Sequence, residues 1–112
     1  MPKEIISTPE APQSPMYSQA VKAGQTVYVA GTPGIDVTTG EFAGPTVTAQ
    51  ARQSLLNCQA ILRAAGAVLS DAVMVHTLLM RPEDADDLAG PPGVDRHGGR
   101  HGLSRVTAKL SA

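Results

Sequence analysis

The clearest periodicity in the chain runs from about Thr46 to Ala65. Val47, Ala51, Leu55, Cys58, Leu62 and Ala65 recur at steps of three and four, which puts them on one face of a helix. Arg52, Gln53, Gln59 and Arg63 fall mostly on other faces. Thr46 follows Pro45 and is a candidate N-cap, and Gly66 stands where a helix stop is expected.

Elsewhere the pattern is that of strands. Ile5 and Ile6 mark a short β-prone start at Lys3 to Ser7, and Pro9, Pro12 and Pro15 forbid a helix after it. Tyr17 to Ala23 and Thr26 to Ala30 flank the turn signal Gly24-Gln25 and predict an antiparallel hairpin. Gly31-Thr32-Pro33-Gly34 and the stretch from Asp36 to Gly40 read as loop. From Asp71 to Met80 a second β segment has Val73, Val75, Thr77 and Leu79 on one face. Ala72, Met74, His76, Leu78 and Met80 take the other. Both faces are largely apolar, which predicts a central strand covered on both sides. Arg81 to Leu88 reads as the start of a second helix, with Asp84, Asp86 and Asp87 in a solvated first turn. The Gly- and Pro-rich tract 89–103 has little to bury and predicts a mobile loop. Arg105 to Leu110 returns to a strand pattern. The order β-β-β-α-β-(α)-β suggests one α+β domain over residues 1–112, with helices packed on one face of a mixed sheet.

Composition narrows the function classes. The 112 residues include no Trp, one Phe and two Tyr, so the core is built from Val, Ile, Leu, Ala and Met. Nine basic residues against ten acidic ones give a formal charge of −1. With few stacking aromatics and no basic excess, nucleic acid is not expected as a partner and an anionic membrane has nothing to attract it. A single cysteine, Cys58, excludes an internal disulfide and reads as a small buried hydrophobe. Met1 to Ala11 lacks the apolar run of a signal peptide, and no stretch reaches the ~18 apolar residues of a membrane span. A cytoplasmic protein is therefore expected. Asp95, His97 and His101 have metal-ligand chemistry, but the glycines between the histidines argue against a helix that would align them. Neither a metal nor a cofactor is expected. His76 reads as a satisfied or interface histidine.

Several segments together carry a family resemblance. Met16-Tyr17-Ser18-Gln19-Ala20-Val21, the run TVYVAG ending at Gly31, Asp36-Val37-Thr38-Thr39-Gly40-Glu41, and QARQSLLNCQAILRAAG from Gln50 to Gly66 occur in the order found in the RidA/YjgF proteins. Arg105 with Ala108-Lys109-Leu110 resembles a late strand of the same family. The resemblance is strong over residues 3–88, weak over 89–103 and good again over 104–110. It implies a chorismate-mutase-like fold and a homotrimer with clefts between neighbouring subunits. It also implies hydrolysis of 2-imino acids or their enamine tautomers to 2-keto acids and ammonia. Arg105 then corresponds to a carboxylate-binding arginine and Tyr17 to a cleft tyrosine. Gly31 is expected to let the backbone approach the ligand, and Thr107 to turn its amide to the cleft.

Three departures from the family pattern are expected to weaken catalysis. Ala30 replaces a cleft serine, and Ala89-Gly90-Pro91-Pro92 replaces a segment bearing an asparagine. No residue matches the late glutamate that positions water. The alternatives to an enzyme acting on a small carboxylate substrate are a non-catalytic trimeric ligand-binding module and, more weakly, an endoribonuclease.

Overall fold

A computed structural model of the chain describes residues 3–79 and 102–109, with the backbone alone for 77–79 and 102–105. β2 (Ala20–Ala23) and β3 (Thr26–Val29) form the expected hairpin, closed by Gly24 at φ 62°. β1 (Lys3–Ile6) pairs with the outer side of β2. On the other side of β3 lies β8 (Gly102–Lys109), which pairs along one edge with β3 and β4 (Thr32–Pro33) and along the other with β7 (Ala72–Leu79). β5 (Ile35–Asp36) and β6 (Glu41–Phe42) make a separate small hairpin. There Asp36 Oδ1 accepts from Thr38 N at 2.9 Å and from Thr38 Oγ1 at 2.6 Å.

The helix α1 (Val47–Ala64) crosses one face of the main sheet. Thr46 caps it as expected, its side chain accepting from Ala49 N at 3.0 Å. Gly66, at φ 87°, ends it, while Ala67 N reaches back to Leu62 O at 2.8 Å. Cys58, Ile61 and Leu62 meet Ile6, Ala20, Val27, Val29, Val106 and Ala108 in the core. Each large apolar side chain buried there is worth about 1.5–3 kcal/mol.

The α+β class and the helix layer stand as expected, while several details differ. Every pairing among the described strands is antiparallel, where a mixed sheet was expected. β8 enters between β3/β4 and β7, so each of its neighbours runs against it. Leu55 is 37% exposed, and the buried face of α1 includes Gln50, Ser54 and Asn57 instead. Polar side chains can line this face because each meets a backbone carbonyl of the segment beneath. Ser54 Oγ donates to Thr32 O at 2.7 Å, and Asn57 Nδ2 to Pro33 O at 3.0 Å and Ile35 O at 2.9 Å.

β7, expected to be covered on both sides, pairs only with β8 among the described residues, and Val73, Met74 and Val75 stand 67%, 52% and 49% exposed. Tyr17 precedes β2 instead of starting it, and Thr32–Pro33, read as loop, is β4. β8 begins at Gly102, inside the tract expected to be a mobile loop. The expected second helix at Arg81 to Leu88, the rest of that tract, and Asp95, His97 and His101 lie outside the described residues. Among the described residues no helix is long and apolar enough to cross a membrane.

Asn57 offers a direct test of the polar clamp. It is 2% exposed, and its Oδ1 also accepts from Gln53 Nε2 at 2.9 Å. Asn57→Ala removes the donor to two carbonyls and is expected to cost about 2–3 kcal/mol in urea unfolding. Asn57→Asp, nearly the same shape, should cost at least as much, because a carboxylate would face those carbonyls.

Candidate functional site

The register of the sheet changes beside Arg105. Tyr28 pairs with Thr107 and Thr32 with Ser104, so residues 29–31 oppose only residues 105 and 106. Val29 and Val106 are both buried and continue the core, which leaves the extra residue at Ala30-Gly31, opposite Arg105. This is a β-bulge, a device that bends a strand and re-aims its neighbours. Ala30 holds it at both ends: its N donates to Gln19 O at 2.9 Å, and its O accepts from Thr32 Oγ1 at 2.8 Å.

Next to the bulge, on the sheet face away from α1, is a concavity of about 420 Å³ whose lining includes Ser18, Val21, Tyr28, Ala30, His76 and Thr107. Cross-strand pairing builds its floor. Val21 opposes Tyr28, Tyr28 opposes Thr107, Thr107 opposes Met74, and Arg105 opposes His76. Directly opposed residues share a face, so the row crosses the sheet from β2 to β7. Ile5, opposite Val21, extends it to β1.

A second groove of about 670 Å³ adjoins the first and shares Ser18 with it; Ser7, Gln13, Ser14 and Tyr17 are among its lining residues. The loop that forms it is pinned by Gln19, which is 5% exposed. Gln19 Oε1 accepts from Thr8 N at 2.6 Å, and Nε2 lies 3.0 Å from Thr8 O, 3.0 Å from Ala11 O and 2.8 Å from Pro12 O. Buried and satisfied, this one amide converts a proline-rich segment into a fixed wall.

The residues singled out from the sequence are therefore distributed over three places. Thr107 and Ala30 line the concavity. Gly31 and Arg105 face each other across the bulge, with the Arg105 side chain outside the described ones. Tyr17 lines the adjoining groove and is 52% exposed. Tyr28, Ser18 and His76 were not among the candidates. Strand parity could have raised two of them: Tyr28 shares its face with the hairpin's Val21, and His76 is the polar position on its face of β7.

The charged groups with clear perturbations lie elsewhere. The two hydrogen bonds from Thr38 hold the Asp36 carboxyl below its ordinary range. Burial pushes the Cys58 thiol up, against a smaller opposing effect of its hydrogen bond with Thr32. Cys58 is wholly buried in the core, an environment that suppresses the thiolate. Among the described residues no carboxylate lines the concavity.

Comparison with known proteins adds the relatives. Residues 8–90 match the family model described as Endoribonuclease L-PSP. The chain is 44% identical over 85 residues to the 2-iminobutanoate/2-iminopropanoate deaminase of Dermatophagoides farinae, covering 74% of this chain and 66% of that protein. It is 40% identical over 85 residues to the chloroplastic Reactive Intermediate Deaminase A of Arabidopsis thaliana, covering 75% of this chain and 44% of that one. It thus spans about two thirds or less of the length of these curated relatives. Among solved structures, RidA from the Antarctic bacterium Psychrobacter sp. PAMC 21119 superposes with a TM-score of 0.78 at 31% identity, covering 96% of this chain and 99% of that one. Escherichia coli TdcF with bound serine superposes with a TM-score of 0.76 at 27% identity, covering 96% and 99%.

Proposed function

The chain belongs to the endoribonuclease L-PSP family, that of the RidA/YjgF proteins, and from that membership we propose that it is a hydrolytic deaminase of 2-imino acids and their enamine tautomers. The observation that carries this reading is the bulge at Ala30-Gly31, set opposite Arg105 and beside a concavity lined by Thr107. Such an imine is already electrophilic at carbon. Its hydrolysis requires a grip on the carboxylate, a positioned water, and a proton route to the departing nitrogen. Arg105 supplies the grip, because a guanidinium fork meets a carboxylate through two parallel charge-assisted hydrogen bonds. Thr107, two residues further along β8, lines the same concavity and offers its hydroxyl. Gly31 leaves room for the ligand on the bulged side, since it has no Cβ. Tyr17 reaches the substrate from the adjoining groove and orients water or the imine nitrogen. The bound serine of TdcF is an α-amino carboxylate and so has the backbone of such a substrate.

The test is to generate an imine in place with an amino-acid oxidase and follow the appearance of 2-keto acid. Faster release than in buffer supports the reading, and a rate equal to that of buffer ends it. The absence of a carboxylate among the described lining residues favours one competitor, a binding module without turnover. Saturable binding of a short 2-keto acid with no acceleration would select it. A ribonuclease finds no support in the net charge of −1.

The same row of residues bears on assembly. Ile5, Tyr28 and Met74 are 62%, 54% and 52% exposed on a sheet face that no element among the described residues covers. A contiguous apolar sheet face of this kind is stabilised by association, and a homotrimer is the proposed state. Light scattering should give about three times the 11.6 kDa chain mass. Met74→Glu puts a charge into the row and should shift the mass to that of one chain. A wild-type protein that stays at the single-chain mass would remove the trimer.

A further inference from the structure

We propose that His76 is the proton-transfer residue of this site. The inference rests on the deaminase reading and assigns a residue that the family resemblance leaves aside. His76 lines the concavity with Thr107, is exposed, and opposes Arg105 across the β7–β8 ladder. Among the described residues the other polar side chains of that lining, on Ser18, Tyr28 and Thr107, are hydroxyls. They donate and accept hydrogen bonds, but imidazole is the side-chain type that exchanges a proton near neutral pH. A guanidinium holds an anion and yields no proton. With Ala30 lacking a hydroxyl and no carboxylate among the described lining residues, the imidazole is the group in this concavity suited to move the proton.

The step balances with water as the only co-reactant. Water attacks the iminium carbon as neutral His76 takes one of its protons. A C–O bond forms and the C=N π pair moves to nitrogen, giving a neutral carbinolamine and an imidazolium. The imidazolium returns the proton to the amine nitrogen. The C–N bond then breaks with its pair going to nitrogen, the hydroxyl oxygen forms the carbonyl, and the hydroxyl proton leaves with the departing ammonia as ammonium. Neutral His76 is regenerated.

The charged and titratable neighbours are few among the described residues. They are Arg105, in register on β8, and Tyr28, which shares the lining of the concavity.

The test compares kcat and KM of wild type and His76→Gln across pH in the oxidase-coupled assay, with matched assembly mass. Glutamine keeps a hydrogen bond and cannot relay a proton. The expected result is a kcat lowered about 100-fold at neutral pH and a KM changed less than about twofold. His76→Ala should regain rate on addition of free imidazole. If wild type accelerates imine decay and His76→Gln matches it, the proposal falls while the deaminase reading stands. The same holds if kcat falls with an equal rise in KM and imidazole restores nothing, which is the behaviour of a structural contact. If wild type does not accelerate decay, both fall.

Discussion

Arg105→Ala is expected to lower kcat/KM for a short 2-imino acid by about 10²–10³-fold, the largest functional loss from any single replacement in this site. The magnitude follows from what the side chain supplies. A hydrogen bond to a charged group is worth about 1.5–3 kcal/mol, and a guanidinium makes two of them to one carboxylate. Losing the pair costs about 3–4 kcal/mol after water takes over part of the solvation. Most of the loss should appear in KM. The carboxylate carries the same charge in the bound imine and in the transition state, so the grip is uniform binding. A kcat loss comparable to the KM change would mean that the grip also sets the angle of water attack. Arg105→Lys keeps the charge without the fork and should recover part of the loss, to within about tenfold of wild type. An imine generated from a simple amine, lacking the carboxylate, supplies the control. Wild type and Arg105→Ala should treat it alike. If Arg105→Ala leaves the 2-imino acid rate unchanged, the carboxylate is held elsewhere and the proposed site is wrong.

What the sequence could and could not disclose follows from the kind of signal each feature leaves. The hairpin of β2 and β3 and the span of α1 were legible because alternation, a glycine turn, a threonine cap and a glycine stop are local. The rotation of α1 was not. Leu55 satisfies the three- and four-residue recurrence yet is 37% exposed, while Gln50, Ser54 and Asn57 are each 2% exposed. Their polarity argues for solvent until the carbonyls of Gly44, Thr32, Pro33 and Ile35 are known to receive them. That knowledge is tertiary.

β7 failed in the opposite sense. Its two apolar faces predict cover on both sides, but Val73, Met74 and Val75 stand exposed. The pattern records a need without naming what meets it. The bulge at Ala30-Gly31 left no local mark either, because it exists only as a mismatch of count between β3/β4 and β8. The family resemblance brought Arg105, Gly31 and Thr107 forward. It said nothing of His76, whose standing comes from the pairing of β7 with β8.

Gly34→Ala is expected to destabilise the fold by at least about 4 kcal/mol, more than any other single-methyl change considered for this chain. The glycine is buried, and the reason it is required is close approach, since its φ is not among the positive ones. A Cβ on residue 34 would lie 2.2 Å from Gln50 O and 2.8 Å from both Gln50 C and Cα. These are helix backbone atoms, which cannot rotate aside as a side chain can. Relief requires α1 to lift away from β4 and β5. Overpacking alone costs about 1–3 kcal/mol. Lifting also lengthens the bonds from Ser54 to Thr32 O and from Asn57 to Pro33 O and Ile35 O. Each of these buried bonds adds about 1 kcal/mol. Against a total domain stability of about 5–15 kcal/mol, the variant should unfold at much lower urea or accumulate as insoluble protein.

Two companion replacements separate crowding from conformation. At Gly44 the added carbon would meet only Ala49 Cβ, at 3.2 Å, and at Gly66 it would meet nothing within 4 Å while φ stays at +87°. Gly44→Ala should therefore cost far less than Gly34→Ala, and Gly66→Ala should cost about 1–2 kcal/mol for its left-handed backbone alone. Denaturation at one fixed protein concentration keeps any change in assembly from entering the comparison. A Gly34→Ala protein as stable as Gly66→Ala would show that α1 is free to move off the sheet. It would also show that the bonds from Ser54 and Asn57 do not fix the loop leading from the bulge.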